Sequence, residues 1–186
     1  NYGKMDKEDI LAVIAYIRSL QPIDQIQPAS EADFPFSLIM RTIPQKAEFS
    51  TKPPASDVIA YGKYLVNAAA CNDCHTKFEN GKFTGEYLAG GREFTMPGGK
   101  ILTSSNLTPH PTGLGNWSKE QFVERFKQYK DRSKLKKVQT GEPQTIMPWS
   151  MYADITTEDL EAIYNYLQTL KPVDNAVVRF AQVESL

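Results

Sequence analysis

The sequence predicts an all-α fold in which one helix and a proline-rich linker precede a larger helical domain. Apolar residues recur at helical spacing in four segments. Six of the 12 prolines fall within residues 21–54, and eight of the 11 glycines fall within residues 80–116. We therefore expect a helix in residues 1–20, an extended linker in 21–54 and a helical domain in 55–186.

The first predicted helix covers residues 5–20. Its apolar positions recur at helical spacing: Ile10, Val13, Ile14, Ile17 and Leu20. Acidic residues crowd its start, where the helix dipole favours negative charge, and Pro22 prevents its continuation. The longest unbroken apolar run, Ile10 to Ile17, has eight residues. A bilayer-spanning helix needs about 20, so we expect no span here.

Three further helices are predicted, each beginning at a residue that caps helix N-termini. They cover residues 57–69, 119–130 and 157–170. The predicted caps are Ser56, Ser118 (with Gln121) and Thr156 (with Asp159). Residues 80–116 are predicted as a long loop, with a short hairpin around Met96-Pro97-Gly98-Gly99. A core built from three modest helices is thin, so we expect a large apolar group to complete it.

The first and last predicted helices form an internal repeat at an offset of 150 residues. Eight of 23 aligned positions are identical, at Tyr2/Tyr152, Glu8/Glu158, Asp9/Asp159, Ala12/Ala162, Tyr16/Tyr166, Leu20/Leu170, Pro22/Pro172 and Asp24/Asp174. Amphipathicity alone does not require the tyrosines, the Leu-x-Pro ending or the trailing Asp. A chance likeness of two amphipathic helices is the alternative.

The composition excludes two classes of protein. The chain is 41% hydrophobic and 23% charged, with a net charge of −1, which is unlike a disordered chain. Its pI of about 6.2 argues against a general nucleic-acid binder. No signal peptide is recognisable after Asn1. The expectation is therefore that the chain was processed or that its true beginning is missing.

The only two cysteines stand in Cys71-Asn72-Asp73-Cys74-His75, the pattern of a c-type haem attachment site. Two thiols one helical turn apart can each add to one vinyl group, and the next residue places an imidazole under the iron. The haem would also supply the missing apolar core. Three alternatives are a zinc site, which needs two more ligands, a thioredoxin-like dithiol, and a chance pair of buried cysteines.

The second axial ligand is predicted to be a methionine. The candidates among the five methionines are Met147, Met151 and Met96, and His110 is a further alternative. Met147 is favoured because Ile146-Met147-Pro148-Trp149 lies on a loop before the last helix, where the thioether can reach across the haem face. Pro148 stiffens that approach.

These motifs together resemble a class I cytochrome c domain, most closely the bacterial multi-haem cytochrome c subunits of membrane dehydrogenases. The resemblance covers about residues 55–174. The matching pieces are Tyr61-Gly62-Lys63-Tyr64-Leu65-Val66, the Cys71–His75 motif, Ser105-Asn106-Leu107-Thr108-Pro109, Thr112-Gly113-Leu114-Gly115-Asn116-Trp117-Ser118, Met147-Pro148-Trp149 and Glu158-Asp159-Leu160-Glu161-Ala162-Ile163-Tyr164-Asn165-Tyr166-Leu167.

The resemblance implies the cytochrome c fold with covalently bound haem, in which the first and last helices of the domain cross. Gly62 would then lie against Tyr166 or Ala162. The Met of a Met-Pro-aromatic loop is the distal iron ligand in such families, which implies Met147. Residues 1–20 would be the C-terminal helix of a preceding cytochrome c-like domain, whose haem motif lies outside this sequence.

Further site residues are expected around the haem. The His75 imidazole is expected to donate its second N–H to a carbonyl, for which Pro109 is the candidate. The predicted propionate donors are Arg92, Asn106 and Trp117, with core packing as the alternative for Trp117. Residues 118–138 hold eight basic and three acidic residues. They would steer an acidic redox partner, or form an ordinary solvated surface.

The predicted function is electron transfer by one haem c with His75 and Met147 as iron ligands, and no catalytic residue is assigned. The chain would belong to a multi-haem cytochrome on the periplasmic side, with redox proteins as partners and possible membrane association through an upstream segment. A two-haem peroxidase-type enzyme or a haem-based sensor is the alternative. Both require an open iron position, against which Met147 argues.

Overall fold

The structure of the protein is a computed structural model that describes residues 1–43, 46–139, 142 and 144–182. The chain divides into two compact units, Asn1–Lys52 and Pro53–Leu186. No helix in the described ranges combines the length and the hydropathy that a bilayer-spanning segment needs.

The first unit contains helix α1 (Lys7–Ser19), helix α2 (Phe36–Ile39) and 3₁₀ turns at Tyr2–Lys4 and Met40–Thr42. The Asp6 carboxylate caps α1 by accepting from the backbone N–H of Glu8 at 2.9 Å, and it also accepts from that of Lys52 at 2.8 Å. The expectation of an extended linker over 21–54 was wrong in part, because α2 and the 3₁₀ turn at Met40–Thr42 form within it. No residue of α1 is buried.

The second unit contains five α-helices and one 3₁₀ turn (Arg132–Lys134) within its described residues; the helices are α3 (Val58–Ala68), α4 (Cys71–His75), α5 (Lys119–Lys127), α6 (Trp149–Tyr152) and α7 (Thr157–Leu167). The predicted caps of α5 and α7 are confirmed, since Ser118 and Gln121 form a reciprocal capping box and Thr156 accepts from Asp159 N. Ser56 does not cap α3. The Asp57 carboxylate does so instead, accepting from Ala60 N at 3.1 Å, because it is one residue closer to the first turn.

Two small antiparallel sheets correct the all-α prediction to a mainly helical fold. Their strands are β1 (Phe78–Glu79), β2 (Lys82–Phe83), β3 (Glu93–Met96), β4 (Lys100–Thr103) and β5 (Phe180–Gln182). β1 pairs with β2, and the second sheet has the order β3-β4-β5. The hairpin predicted around Met96 is confirmed: Gly98 and Gly99 take positive φ in the turn, where Met96 pairs with Lys100.

Helices α3 and α7 pack together at the glycine that the resemblance implied. A Cβ on Gly62 would lie 2.0 Å from the carbonyl oxygen of Ala162 and 2.9 Å from Cβ of Tyr166, so only glycine permits this approach. The Tyr61 hydroxyl donates to the Asp159 carboxylate across the same contact at 2.9 Å. The surrounding core comprises Val66, Leu88, Leu114, Phe122, Phe126, Leu160, Ile163, Tyr166 and Leu167.

Candidate haem-binding cavity

The second unit encloses a cavity of about 320 Å³, within the range of small-molecule and cofactor sites. Residues from α4, α5, α6 and α7, from strands β3 and β4, from the connecting loops and from the segment after α7 form its wall. The wall is largely apolar and includes core residues such as Phe122 and Leu160. It also contains the four side chains predicted to attach the haem or to bind its iron, Cys71, Cys74, His75 and Met147.

Helix α4 places both thiols and the imidazole at the cavity. Ala70 precedes α4 in the left-handed conformation, with φ of 53°, and so turns the chain between α3 and α4. Burial raises the pKa of the Cys71 thiol to about 12 and also raises the pKa of Cys74. As free thiols, both groups are therefore protonated at neutral pH.

The His75 imidazole is oriented by a backbone carbonyl. Its Nδ1 lies 2.8 Å from the Ser105 carbonyl oxygen. Burial lowers the pKa of His75, so the ring is neutral near pH 7. In a neutral imidazole facing a carbonyl, Nδ1 carries the proton, which leaves Nε2 free to bind a metal ion. The prediction of Pro109 as the acceptor was wrong, because the loop after β4 brings the carbonyl of Ser105 to the ring first.

Among the candidate second ligands, Met147 lies in the cavity wall. Its backbone N–H donates to the Thr145 hydroxyl at 3.0 Å. Met151, four residues further on, is 71% exposed. Met96 belongs to β3 and His110 hydrogen-bonds to Thr112 at 2.9 Å, and neither lines the cavity.

The three predicted propionate donors have different surroundings. Asn106 lies in the wall but is 2% exposed, and its amide donates to the Thr112 hydroxyl at 3.2 Å and the Val173 carbonyl at 2.8 Å. Both of its N–H groups are thus already used. Arg92 lies outside the wall, and its guanidinium donates to the Asp73 carbonyl. Trp117 lies in the wall and is partly open to solvent.

Sequence reasoning missed three side chains of the wall that carry N–H donors: Arg125, Trp149 and Arg179. The indole Nε1 of Trp149 is the buried side-chain nitrogen without a hydrogen-bond partner in the described part of the chain. An apolar cavity with two thiols, a free imidazole nitrogen, a thioether and spare N–H donors suits an apolar macrocycle that carries iron and acidic side groups. The residues present therefore fit a haem.

Comparison with known proteins identifies the family of this chain. Residues 59–171 match the family model "Cytochrome c". The fructose dehydrogenase cytochrome subunit of Gluconobacter japonicus is 34% identical over 155 residues, which are 80% of this chain and 29% of that protein. The alcohol dehydrogenase (quinone) cytochrome c subunit of Gluconacetobacter polyoxogenes is 30% identical over 189 residues, covering 93% of this chain and 39% of that protein.

A third relative, the gluconate 2-dehydrogenase cytochrome c subunit of Pantoea cypripedii, is 32% identical over 121 residues, covering 64% of this chain and 25% of that protein. The chain thus spans between 25% and 39% of the length of these three relatives. The family model covers more than half of the chain and extends from the second residue of α3 to beyond the end of α7, with the whole Cys71–His75 motif. The chain belongs to the cytochrome c family.

Proposed function

We propose that this chain is an electron-transfer subunit with one haem c attached at Cys71 and Cys74 and with His75 and Met147 as axial ligands. Membership of the cytochrome c family implies covalently bound haem c, and the two cysteines are compatible with that attachment. The observation that carries the proposal is the presence of all four side chains in one apolar cavity wall.

The chain's own residues suit reversible transfer of one electron. The bound haem supplies an iron that cycles between the ferric and ferrous states. The Ser105 carbonyl orients the His75 ring, and Pro148 restricts the backbone beside Met147. The soft thioether of Met147 favours the ferrous state, and the apolar wall disfavours the extra positive charge of the ferric state. Both effects raise the reduction potential.

Methionine ligation separates this proposal from a peroxidase or sensor, which both need an open iron position. We expect a ferric six-coordinate, low-spin spectrum with the weak Met–iron charge-transfer band. Met147→Ala removes that band, whereas Met151→Ala retains it because Met151 is 71% exposed. A high-spin wild-type spectrum, rapid peroxide turnover, or a band that survives Met147→Ala contradicts the proposal.

We further propose that the first unit belongs to a preceding haem domain, so that the complete protein carries more than one haem. The support is the repeat at offset 150 together with burial. Ile163 and Leu167 of α7 are buried in the core. Their counterparts in α1, Val13 and Ile17, are 49% and 60% exposed. An apolar helix face of this kind needs a partner to cover it.

Counting haems tests this second proposal. The natural full-length protein is purified, its intact mass is measured, and haem is quantified per polypeptide. We expect at least two covalently bound haems. A single haem in the natural full-length chain would contradict the assignment of residues 1–20 to a second haem domain, and it would leave the ligands of the second unit unaffected.

We place the protein on the periplasmic side, where bacterial cytochromes of this type receive their haem, with redox proteins as its partners. The names of the relatives, which are cytochrome subunits of dehydrogenases, support such partners. Part of the basic segment 118–138 is engaged within the chain, since Lys127 donates to the Ala153 carbonyl and Lys119 pairs with Glu161 at 3.3 Å. Lys130 and Arg132 are exposed and are available to steer an acidic partner.

A further inference from the structure

The loop that carries Met147 leads directly into α6, a helix of only four residues. The backbone N–H of Trp149, the first residue of α6, donates to the Met147 carbonyl at 2.8 Å. The backbone N–H of Tyr152, the last residue, donates to the carbonyl of the intervening Pro148 at 3.1 Å. The Met147 backbone is therefore tied to α6. A helix of this length is not stable on its own, so contacts with other elements must hold it in place.

The Tyr152 side chain connects α6 to the turn between α3 and α4. Its hydroxyl donates to the Ala69 carbonyl at 2.8 Å, across 83 positions of the chain. Ala69 is the C-cap of α3, where backbone carbonyls have no partner within the helix, and Cys71 begins α4 two residues later. Ala69, Cys71 and Tyr152 all line the cavity. One hydrogen bond thus joins the segment with the attachment cysteines to the segment with Met147.

The far end of α6 is held by α5. Lys127, the last residue of α5, is partly buried, and its ammonium group donates to the Ala153 carbonyl at 3.2 Å and to the Ile155 carbonyl. Ala153 is the C-cap of α6. A hydrogen bond from a charged donor is stronger than one between neutral groups. Side chains therefore fix α6 at two points, on the α3–α4 turn through Tyr152 and on α5 through Lys127.

We infer that Tyr152 and Lys127 are positioning residues for Met147, because they hold α6 and, through it, the backbone that carries the thioether. This inference rests on the proposed function. A small ligand can reach the sixth coordination position of the iron only after Met147 leaves it. Because the Met147 backbone is bonded to α6, its departure displaces α6 and breaks the bond between Tyr152 and Ala69. The two side chains therefore keep the sixth position closed.

Imidazole titration of the ferric haem-loaded protein measures how firmly Met147 is held. Imidazole replaces the thioether, so loss of the Met–iron charge-transfer band gives its Kd. Tyr152→Phe keeps the aromatic ring and removes the hydroxyl. We expect this variant to lower the Kd for imidazole about fivefold, the factor that one typical hydrogen bond contributes to an equilibrium. Lys127→Leu removes the charged donor and should lower the Kd at least as much.

Tyr61→Phe is the matched control. The Tyr61 hydroxyl also donates to a residue far along the chain, the Asp159 carboxylate at 2.9 Å, but this bond joins α3 to α7 and does not involve α6. The variant should lower the free energy of unfolding in guanidinium denaturation and keep the Kd for imidazole within about twofold of the wild-type value. Equal decreases of the Kd in Tyr61→Phe and Tyr152→Phe overturn the inference, because a general loss of stability then explains both.

Amide hydrogen exchange of the wild-type protein tests the movement of α6 without any variant. Saturation with imidazole should speed exchange at the backbone N–H of Tyr152, which is bonded to the Pro148 carbonyl. The N–H of Ile163, a buried residue of α7, should exchange at an unchanged rate. Unchanged exchange at Tyr152 overturns the inference, whether or not the variants fold.

The outcomes separate this inference from the proposed function. A wild-type protein without the Met–iron band contradicts the proposed function. A wild-type protein with that band contradicts only the inference if Tyr152→Phe and Lys127→Leu leave the Kd for imidazole unchanged. Met147 would then leave the iron by rotation of its own side chain while α6 stays in place.

Discussion

Replacing Gly62 with alanine tests the closest helix contact of the second unit. The added Cβ would lie 2.0 Å from the carbonyl oxygen of Ala162, 2.7 Å from its carbonyl carbon and 2.9 Å from Cβ of Tyr166. Two of these three atoms are backbone, so no side-chain rotation relieves the clash. Helices α3 and α7 must move apart by more than an ångström before an ordinary contact is restored.

The expected loss of stability follows from two opposing effects. Overpacking of this kind costs about 3 kcal/mol, the upper end of its usual range, because backbone atoms must move. Alanine favours the helical state over glycine by about 1 kcal/mol. The free energy of unfolding should therefore fall by about 2 kcal/mol.

Guanidinium denaturation of the haem-loaded protein, followed by far-ultraviolet circular dichroism, measures this change. Lys63→Ala is the control, since Lys63 is the next residue of α3 and is exposed. Its expected change is within about 0.5 kcal/mol. If Gly62→Ala is as stable as the wild type, or more stable, the close approach of α3 and α7 is incorrect.

Two further predictions concern hydrogen bonds of the second unit, measured by the same denaturation assay. Ser118→Ala removes the side-chain half of the α5 capping box, an acceptor 3.2 Å from Gln121 N, and should cost about 1 kcal/mol. Ser56→Ala should leave the free energy of unfolding almost unchanged, because Asp57 and not Ser56 caps α3. An equal loss of stability in Ser118→Ala and Ser56→Ala would contradict the assignment of Ser118 and Asp57 as the caps of α5 and α3. Asn106→Ala should cost about 2–3 kcal/mol, because buried partners lose their bonds. Asn116→Ala, at an exposed site, should be near neutral, and a neutral Asn106→Ala would show that its bonds are not needed.

The features of the site and fold that depend on short spacings along the chain, or on the geometry of regular helices, could be predicted from the sequence. The two thiols and the imidazole lie in five consecutive residues, so one short helix brings them to the cavity. Gly62 could be matched with Ala162 because the resemblance implied that two regular helices cross there. In both cases helical geometry alone relates the spacing along the chain to the position in space.

The parts that depend on loop paths could not be predicted. The carbonyl that accepts from His75 is 30 residues away, and only the path of the loop after β4 selects Ser105 over Pro109. Arg92 carries the charge that a propionate needs, but its guanidinium is held between the Phe78 and Phe94 rings, at 4.7 and 5.3 Å. The sequence does place a second tryptophan, Trp149, directly after Met147-Pro148. That its indole N–H has no acceptor among the described residues could be found only once the positions of the neighbouring acceptors were given.

The orientation of His75 depends on the chain beyond the last helix. The residue after Ser105 is Asn106, whose amide donates to the carbonyl of Val173 at 2.8 Å, and Val173 in turn donates to the Thr108 hydroxyl at 3.1 Å. The segment that follows α7 therefore braces the loop against which the imidazole rests. With His75 as the proposed iron ligand, a ring braced in this way would keep one orientation in both oxidation states, so that little nuclear rearrangement would accompany the arrival or departure of an electron.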